Sequence, residues 1–200
     1  WIERDVNDYL NDLLKTKNVV YVVASDTDSI YVKLGAVVDK IFKDKSDTRK
    51  IVKVLDKFCE DKLQKIIDDS YDKLAKYVNA FDQKMFMKRE VIANKGIWTA
   101  KKRYILNVYN EEGVDLKEPK LKIMGIEAVK SSTPAPCRIK IKEALKVIMN
   151  KDENALIEFI DEFRTHFKKL RPEEIAYPRS CNNLKKYSSS TDIYQKSTPI

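Results

Sequence analysis

Val19-Val20-Tyr21-Val22-Val23-Ala24-Ser25-Asp26-Thr27-Asp28-Ser29-Ile30-Tyr31-Val32-Lys33-Leu34 is two apolar runs interrupted by a short polar stretch. Val19 to Ala24 and Ile30 to Leu34 are rich in β-branched and aromatic side chains, which predicts two adjacent strands joined by a turn. Alternate residues of an extended chain point the same way, so Asp26 and Asp28 can send both carboxylates to one side, about 6.6 Å apart at Cα. Neither has an obvious local cation. An unpaired carboxylate is costly in a low-dielectric site, so acids gathered at a strand end call for a divalent metal, and oxygen-only ligands favour magnesium or manganese. Asp, Thr and Ser are also ordinary turn formers, which leaves a purely structural hairpin open.

Two other uses of closely spaced acids are separable. A helix-loop-helix calcium loop needs Asp or Asn where Ile30 stands and Gly where Tyr31 stands, so it is excluded. An aspartyl phosphatase of the haloacid dehalogenase type also places D-x-D after an apolar strand but prefers Thr or Val at the position of Ile30. It stays as an alternative.

Composition bounds the rest. The chain has 200 residues, 43% of them hydrophobic, enough for one sizeable domain with a core, or one domain plus a smaller module. Only four glycines against 35% charged residues favour long helices over a many-stranded sandwich. The formal net charge of +8 suggests a polyanionic partner. The longest apolar run, Val19 to Ala24, falls far short of the about 20 residues needed to span a bilayer, and no secretory leader precedes it, so a soluble protein is expected. Cys59, Cys137 and Cys181 are odd in number and lack C-x-x-C spacing, which argues against a disulfide framework or zinc site and fits a reducing compartment. His166, in a charged helical stretch, reads as solvated.

Ile2, Val6, Tyr9, Leu10, Leu13 and Leu14 recur at helical spacing, and Thr16-Lys17-Asn18 ends that helix before the first strand. A long amphipathic helix is predicted from about Asp47 to Val78, with Ile51, Val54, Leu55, Phe58, Leu63, Ile66, Ile67, Leu74 and Tyr77 as its buried stripe. Strand periodicity covers Met85 to Ala93, Tyr104 to Tyr109 and Leu121 to Glu127, with Glu111-Glu112-Gly113 as a turn. With the first hairpin these strands can form a small antiparallel sheet backed by helices, an α+β domain. Ser131-Ser132-Thr133-Pro134 announces a helix start with hydroxyl caps, and two helices follow, Ala135 to Met149 and Glu153 to Leu170, parted by Asn150-Lys151-Asp152. The polar, Ser-rich stretch 171–200 has no clear periodicity. A boundary between the sheet domain and a mostly helical module is expected near Ala128 to Ser132.

Lys101-Lys102-Arg103-Tyr104 places three cations and an aromatic hydroxyl directly before a strand, a composition suited to phosphates and groove acceptors. Ser131, Ser132 and Thr133 at a helix N-terminus make a second phosphate-ready segment. An acidic metal turn, a basic-aromatic strand entry and a hydroxyl-rich helix start together could serve one nucleic acid.

Through these residues the chain resembles the family B DNA polymerases, in particular the replicative polymerases of large tailed bacteriophages. The matching stretches are Trp1 to Arg4, Asp26 to Val32, Met85 to Met87, Arg89 to Ile92, Lys101 to Asn107, Glu118 to Gly125 and Ser131 to Pro134, nearly end to end. DTDS, KKRY, KIMG and SSTP in this order carry the resemblance. It implies that residues 1–128 are the C-terminal part of a polymerase palm and 129–200 a partial thumb. It implies Asp28 as a direct ligand bridging two Mg2+ ions, Asp26 as a supporting carboxylate near the primer end, and Glu90 as a weaker metal candidate.

The resemblance assigns primer-template contacts to Lys102 and Tyr104, supported by Lys101 and Arg103, with Lys122 in the same DNA-binding set. Ser131, Ser132 and Thr133 would meet the duplex backbone where palm gives way to thumb. The reaction implied is attack of a primer 3′ hydroxyl on a deoxynucleoside triphosphate, in a phage-infected host cytoplasm. Exonuclease, fingers and the other palm aspartate are expected to lie outside this chain, so the isolated chain is expected to be inactive and an N-terminal polymerase half is among its possible partners. Ala24-Ser25 stands where the family often has Tyr-Gly, and Lys88 where phage relatives often carry an acid. A non-enzymatic duplex-binding module is the rival from another class.

Overall fold

The computed structural model describes residues 1–178. Helices and antiparallel strands alternate as an α+β chain. The helix predicted at the start is α1 (Ile2–Leu14), which closes with Lys15 in the left-handed region. It is followed by β1 (Val22–Asp26) and β2 (Ser29–Val32). Both strands sit about two or three residues from their predicted starts or ends, and α1 explains the first offset. The Asn11 side chain holds both backbone groups of Val19, donating to its carbonyl (2.8 Å) and accepting from its N–H (3.0 Å). Asn7 Oδ1 accepts from the N–H groups of Tyr21 (2.7 Å) and Val22 (3.0 Å). Val19 and the N–H groups of Tyr21 and Val22 thus bond to α1 rather than to a strand, while the Tyr21 carbonyl accepts from the Lys33 N–H (2.7 Å), and Val19 and Val20 are left exposed.

A short helix that the periodicity did not reveal, α2 (Gly35–Ile41), buries Val37. The predicted long helix is present but interrupted: α3 (Thr48–Phe58), a π turn (Cys59–Leu63) and α4 (Gln64–Tyr77). Asp47 caps it by accepting from the Lys50 N–H (3.0 Å). The π turn adds a residue to one turn and rotates the buried face, so Val52, Leu55, Leu63, Ile67, Ser70 and Tyr71 face inward. Tyr77, predicted within the stripe, is 75% exposed.

The later strands are β3 (Val91–Ala100), β4 (Arg103–Glu111) and β5 (Val114–Met124). They form their own sheet in that order, separate from the β1–β2 pair, so the strands divide between two small sheets. Two-residue turns join them, which only antiparallel neighbours allow. Between β4 and β5, Glu112 (φ 50) and Gly113 (φ 86) both lie in the left-handed region, the geometry a two-residue hairpin matched to strand twist requires. Residues 85–90, expected as strand, are irregular, with Met85 and Phe86 exposed.

The chain forms two compact units. The first contains Trp1–Lys102 and Leu106–Lys122. Its main core joins Val6 and Leu10 of α1, Tyr21 and Val22, Val37 of α2, Leu63, and Ile67 and Tyr71 of α4. Asp5 ties α1 to α4 by accepting from Ser70 Oγ (2.9 Å) and pairing with Lys73 (3.1 Å). Burial alone would raise the Asp5 carboxyl, but hydrogen bonds from Arg4, Ser70 and Lys73 and the Lys73 charge outweigh it and hold the group below its ordinary value.

The second unit contains Arg103–Ile105 and the chain from Ile123 onward. A 3₁₀ turn (Glu127–Val129) leads to α5 (Ala135–Asn150), α6 (Glu153–Phe167) and the short α7 (Pro172–Ile175). The two predicted helices stand nearly as expected, with Asp152 capping α6 through the Ala155 N–H (3.0 Å). The expected hydroxyl caps on α5 do not form: Pro134 holds the cap position with no side-chain bond. Pro136 in the first turn has no N–H, which leaves one donor fewer to satisfy. The residues 179–200 and Cys181 fall outside the described residues. Cys59 and Cys137 are free thiols, and burial pushes Cys59 up to about 11. His166 is exposed, as expected.

Candidate metal and nucleic-acid site

The β1–β2 register pairs Asp26 with Ser29, so Thr27 and Asp28 alone make the turn. Asp28 is therefore not one strand step beyond Asp26; the alternation expected of an extended chain does not apply, because the chain reverses between the two acids. The Asp28 N–H donates back to the Asp26 carbonyl (2.6 Å) across Thr27, whose φ is 50. A β-branched residue is rarely held there, and such strain persists where surrounding structure enforces it. Ser29 Oγ adds a second bond to the Asp26 carbonyl (3.2 Å). A bulge at Val23, between the Val22 and Ala24 pairings, adds a local bend behind the turn.

These bonds use the backbone and leave the carboxylates for other partners. Asp26 Oδ1 accepts from Thr27 Oγ1 (3.4 Å) and lies 3.8 Å from Lys102 Nζ. The cation near Asp26 is thus not local in sequence: Lys102, 76 residues on, comes to the acid through the β3–β4 turn. That pair is largely solvated, so it steers position more than it stabilises. Asp28 is exposed. Burial raises the Tyr71 hydroxyl of α4 above its ordinary value, and the Asp28 charge raises it further.

Asp26 and Asp28 offer hard oxygen donors suited to Mg2+ or Mn2+. They fit such an ion as a partial ligand set, since among the described residues no three His, Cys, Asp or Glu side chains gather as a metal site. Glu90 lies elsewhere, its carboxylate engaged by Lys122 Nζ. Two candidates of different expected roles thus neutralise each other.

Lys101 and Lys102 form the exposed β3–β4 turn, with Lys102 at φ 60. Edge-to-face contact of Tyr31 with Trp98 (centroids 5.3 Å, 72°) also joins β2 to β3. In the second unit, Arg103 pairs with Glu127 (2.6 Å) and Tyr104 is 9% exposed. The backbone N–H of Glu127, the Lys130 ammonium and the Arg103 charge hold the Glu127 carboxyl below its usual range. Ser131 and Ser132 are exposed, whereas Thr133 is buried and its N–H closes a turn onto the Lys130 carbonyl (3.1 Å).

Sequence reasoning missed the polar network beneath the β4–β5 hairpin. Arg89 pairs with Asp56 of α3 and donates to Asn110 Oδ1 (2.9 Å); Asn110, fully buried, donates to Asp115 (2.8 Å) and accepts from the Gly113 N–H (3.2 Å). Arg89 lay within a quoted motif, but nothing in its spacing pointed to Asp56.

No family model matches the chain. It is 42% identical over 196 residues to the DNA-directed DNA polymerase of Escherichia phage RB69, and 35% identical over 199 residues to that of Enterobacteria phage T4. Each match covers 94% of this chain and 22% of the relative, so the chain spans about a fifth of their length.

Proposed function

We infer that this chain, a relative of the phage DNA-directed DNA polymerases over 94% of its length, supplies the metal-binding turn and primer-template contacts of such an enzyme. The observation that carries the reading is the Thr27-Asp28 turn, where two carboxylates flank a reversal and Lys102 approaches Asp26. Residues 1–128 act as palm and 129–200 as partial thumb.

Asp28 holds magnesium directly and Asp26 supports it near the primer end. A pair of magnesium ions would supply activation of the attacking oxygen and stabilisation of the leaving pyrophosphate. Lys102 and Tyr104 contact the primer strand, supported by Lys101 and Arg103, with Lys122 and the Ser131 to Thr133 segment as further DNA contacts. Ser131 and Ser132 present hydroxyls to solvent, which supports their part, while Lys122 must leave Glu90 to reach a phosphate. Deoxynucleoside triphosphates and primer-template DNA are the substrates, and the host cytoplasm is the setting; no described helix is long and apolar enough to cross a membrane.

The partial ligand set implies that the chain alone binds primer-template without extending it, and that a further polymerase segment completes the site. Incubation of the purified 200-residue chain with primer-template, Mg2+ and all four deoxynucleoside triphosphates is expected to give binding that weakens with salt but no extension. Extension by the chain alone, abolished by Asp28→Ala, would refute the division of the site.

A further inference from the structure

We propose that Trp98 is a positioning residue that sets the reach of Lys102 toward the primer strand; this rests on the polymerase reading above. Three observations within the first unit converge on it. The Trp98 ring folds over Gly96: a Cβ built there would stand 2.8 Å from two ring carbons and 2.8 Å from Leu106 Cδ2. The residue two places earlier on the same strand face thus has no side chain because the indole occupies that space. The ring then meets Tyr31 edge-on at 5.3 Å. Tyr31 is two residues beyond Ser29 on β2, and Trp98 is four residues before Lys102 on β3.

The aromatic pair therefore fastens the acidic hairpin to the strand that ends in the basic turn. The Asp26–Lys102 approach of 3.8 Å is made at the tips of these two hairpins. A solvated ion pair contributes well under the energy needed to align two hairpins by itself, whereas an edge-to-face aromatic pair, with Tyr31 partly buried and Trp98 37% exposed, adds packing that fixes its geometry. Tyr31 and Trp98 set the spacing, and Lys102 inherits it.

The test is primer-template binding by the full chain, followed by fluorescence anisotropy across a salt series, for wild type, Lys102→Ala, Trp98→Ala, the double variant and Trp98→Phe. Losing one phosphate contact lowers the salt slope by about 0.9 log unit per decade. Lys102→Ala is expected to lose that amount, Trp98→Ala to lose nearly as much although Lys102 is retained, and the double variant to lose no more than Lys102→Ala. Trp98→Phe, which keeps a ring against Tyr31, restores most of the slope. Additive losses, or a Trp98→Ala slope equal to wild type, overturn the positioning role while leaving the polymerase reading intact. Failure of the wild-type chain to bind at any salt overturns both. Circular dichroism melts check folding; if Trp98→Ala does not fold, Gly96→Ala, which displaces the ring, is read against Lys102→Ala by the same criteria.

Discussion

Arg89 is the side chain on which the first unit's buried charge balance turns. Its side chain is 14% exposed and that of its partner Asp56 22%, and its other fork donates to the fully buried Asn110. Removing it strands a carboxylate and an amide oxygen together. Arg89→Leu is expected to cost about 3 kcal/mol, read as a lower urea midpoint at unchanged slope. Arg89→Lys is expected to recover less than half of that, because one ammonium cannot span both partners as a planar fork does. A change below about 0.5 kcal/mol for Arg89→Leu would show that the network does not hold the hairpin to α3. At this scale the turn between two strands at Asp26 to Ser29 was legible from residue type, whereas the alternation expected of Asp26 and Asp28 was not kept, because the chain reverses between them. Asp56, Asn110 and the approach of Lys102 to Asp26 were not legible, because these pairings join residues 21 to 76 positions apart, which no local pattern encodes.

The elements formed largely where hydrophobic period and capping agree. α1 and α5 match their predicted spans closely, and α6 starts where predicted, at Glu153 after its cap Asp152, which accepts from the Ala155 N–H at 3.0 Å, but ends at Phe167 rather than Leu170. Elements shifted where a long-range polar bond competes with the local ladder. Asn7 and Asn11 look like ordinary surface residues of an amphipathic helix, yet they bind the backbone of residues 19, 21 and 22 and delay β1. Asn7→Ala leaves two N–H groups without their acceptor and is expected to destabilise by about 2 kcal/mol, with faster amide hydrogen exchange at Tyr21 and Val22 than elsewhere in the first unit. Unchanged protection at those two amides would contradict that account of where the strand begins. The long helix illustrates the complementary limit. The predicted stripe holds through Cys59–Leu63, with Leu63 and Ile67 buried, and fails only at Tyr77, the last residue of α4, which lies against the Trp1 ring (5.2 Å) and stands exposed.

For the whole molecule, α+β class and the alternation of helices with short antiparallel strands were legible from composition and period together. The division of the strands into two sheets was not, because strand pairing between distant segments is a tertiary outcome. The proposed function depends on joining residues that those sheets carry separately: Asp26 and Asp28 on the β1–β2 turn, and Lys101 and Lys102 on the β3–β4 turn. In the proposed function the Asp28 carboxylate would hold a catalytic magnesium ion. That role is tested most directly by Mg2+-dependent primer extension with a complete polymerase in which this chain supplies the palm, comparing wild type with Asp28→Ala. A loss of at least about 10³-fold in kcat, or about 4 kcal/mol, is expected, with primer-template affinity within a few-fold of wild type. Extension at the wild-type rate by the Asp28→Ala enzyme would contradict it.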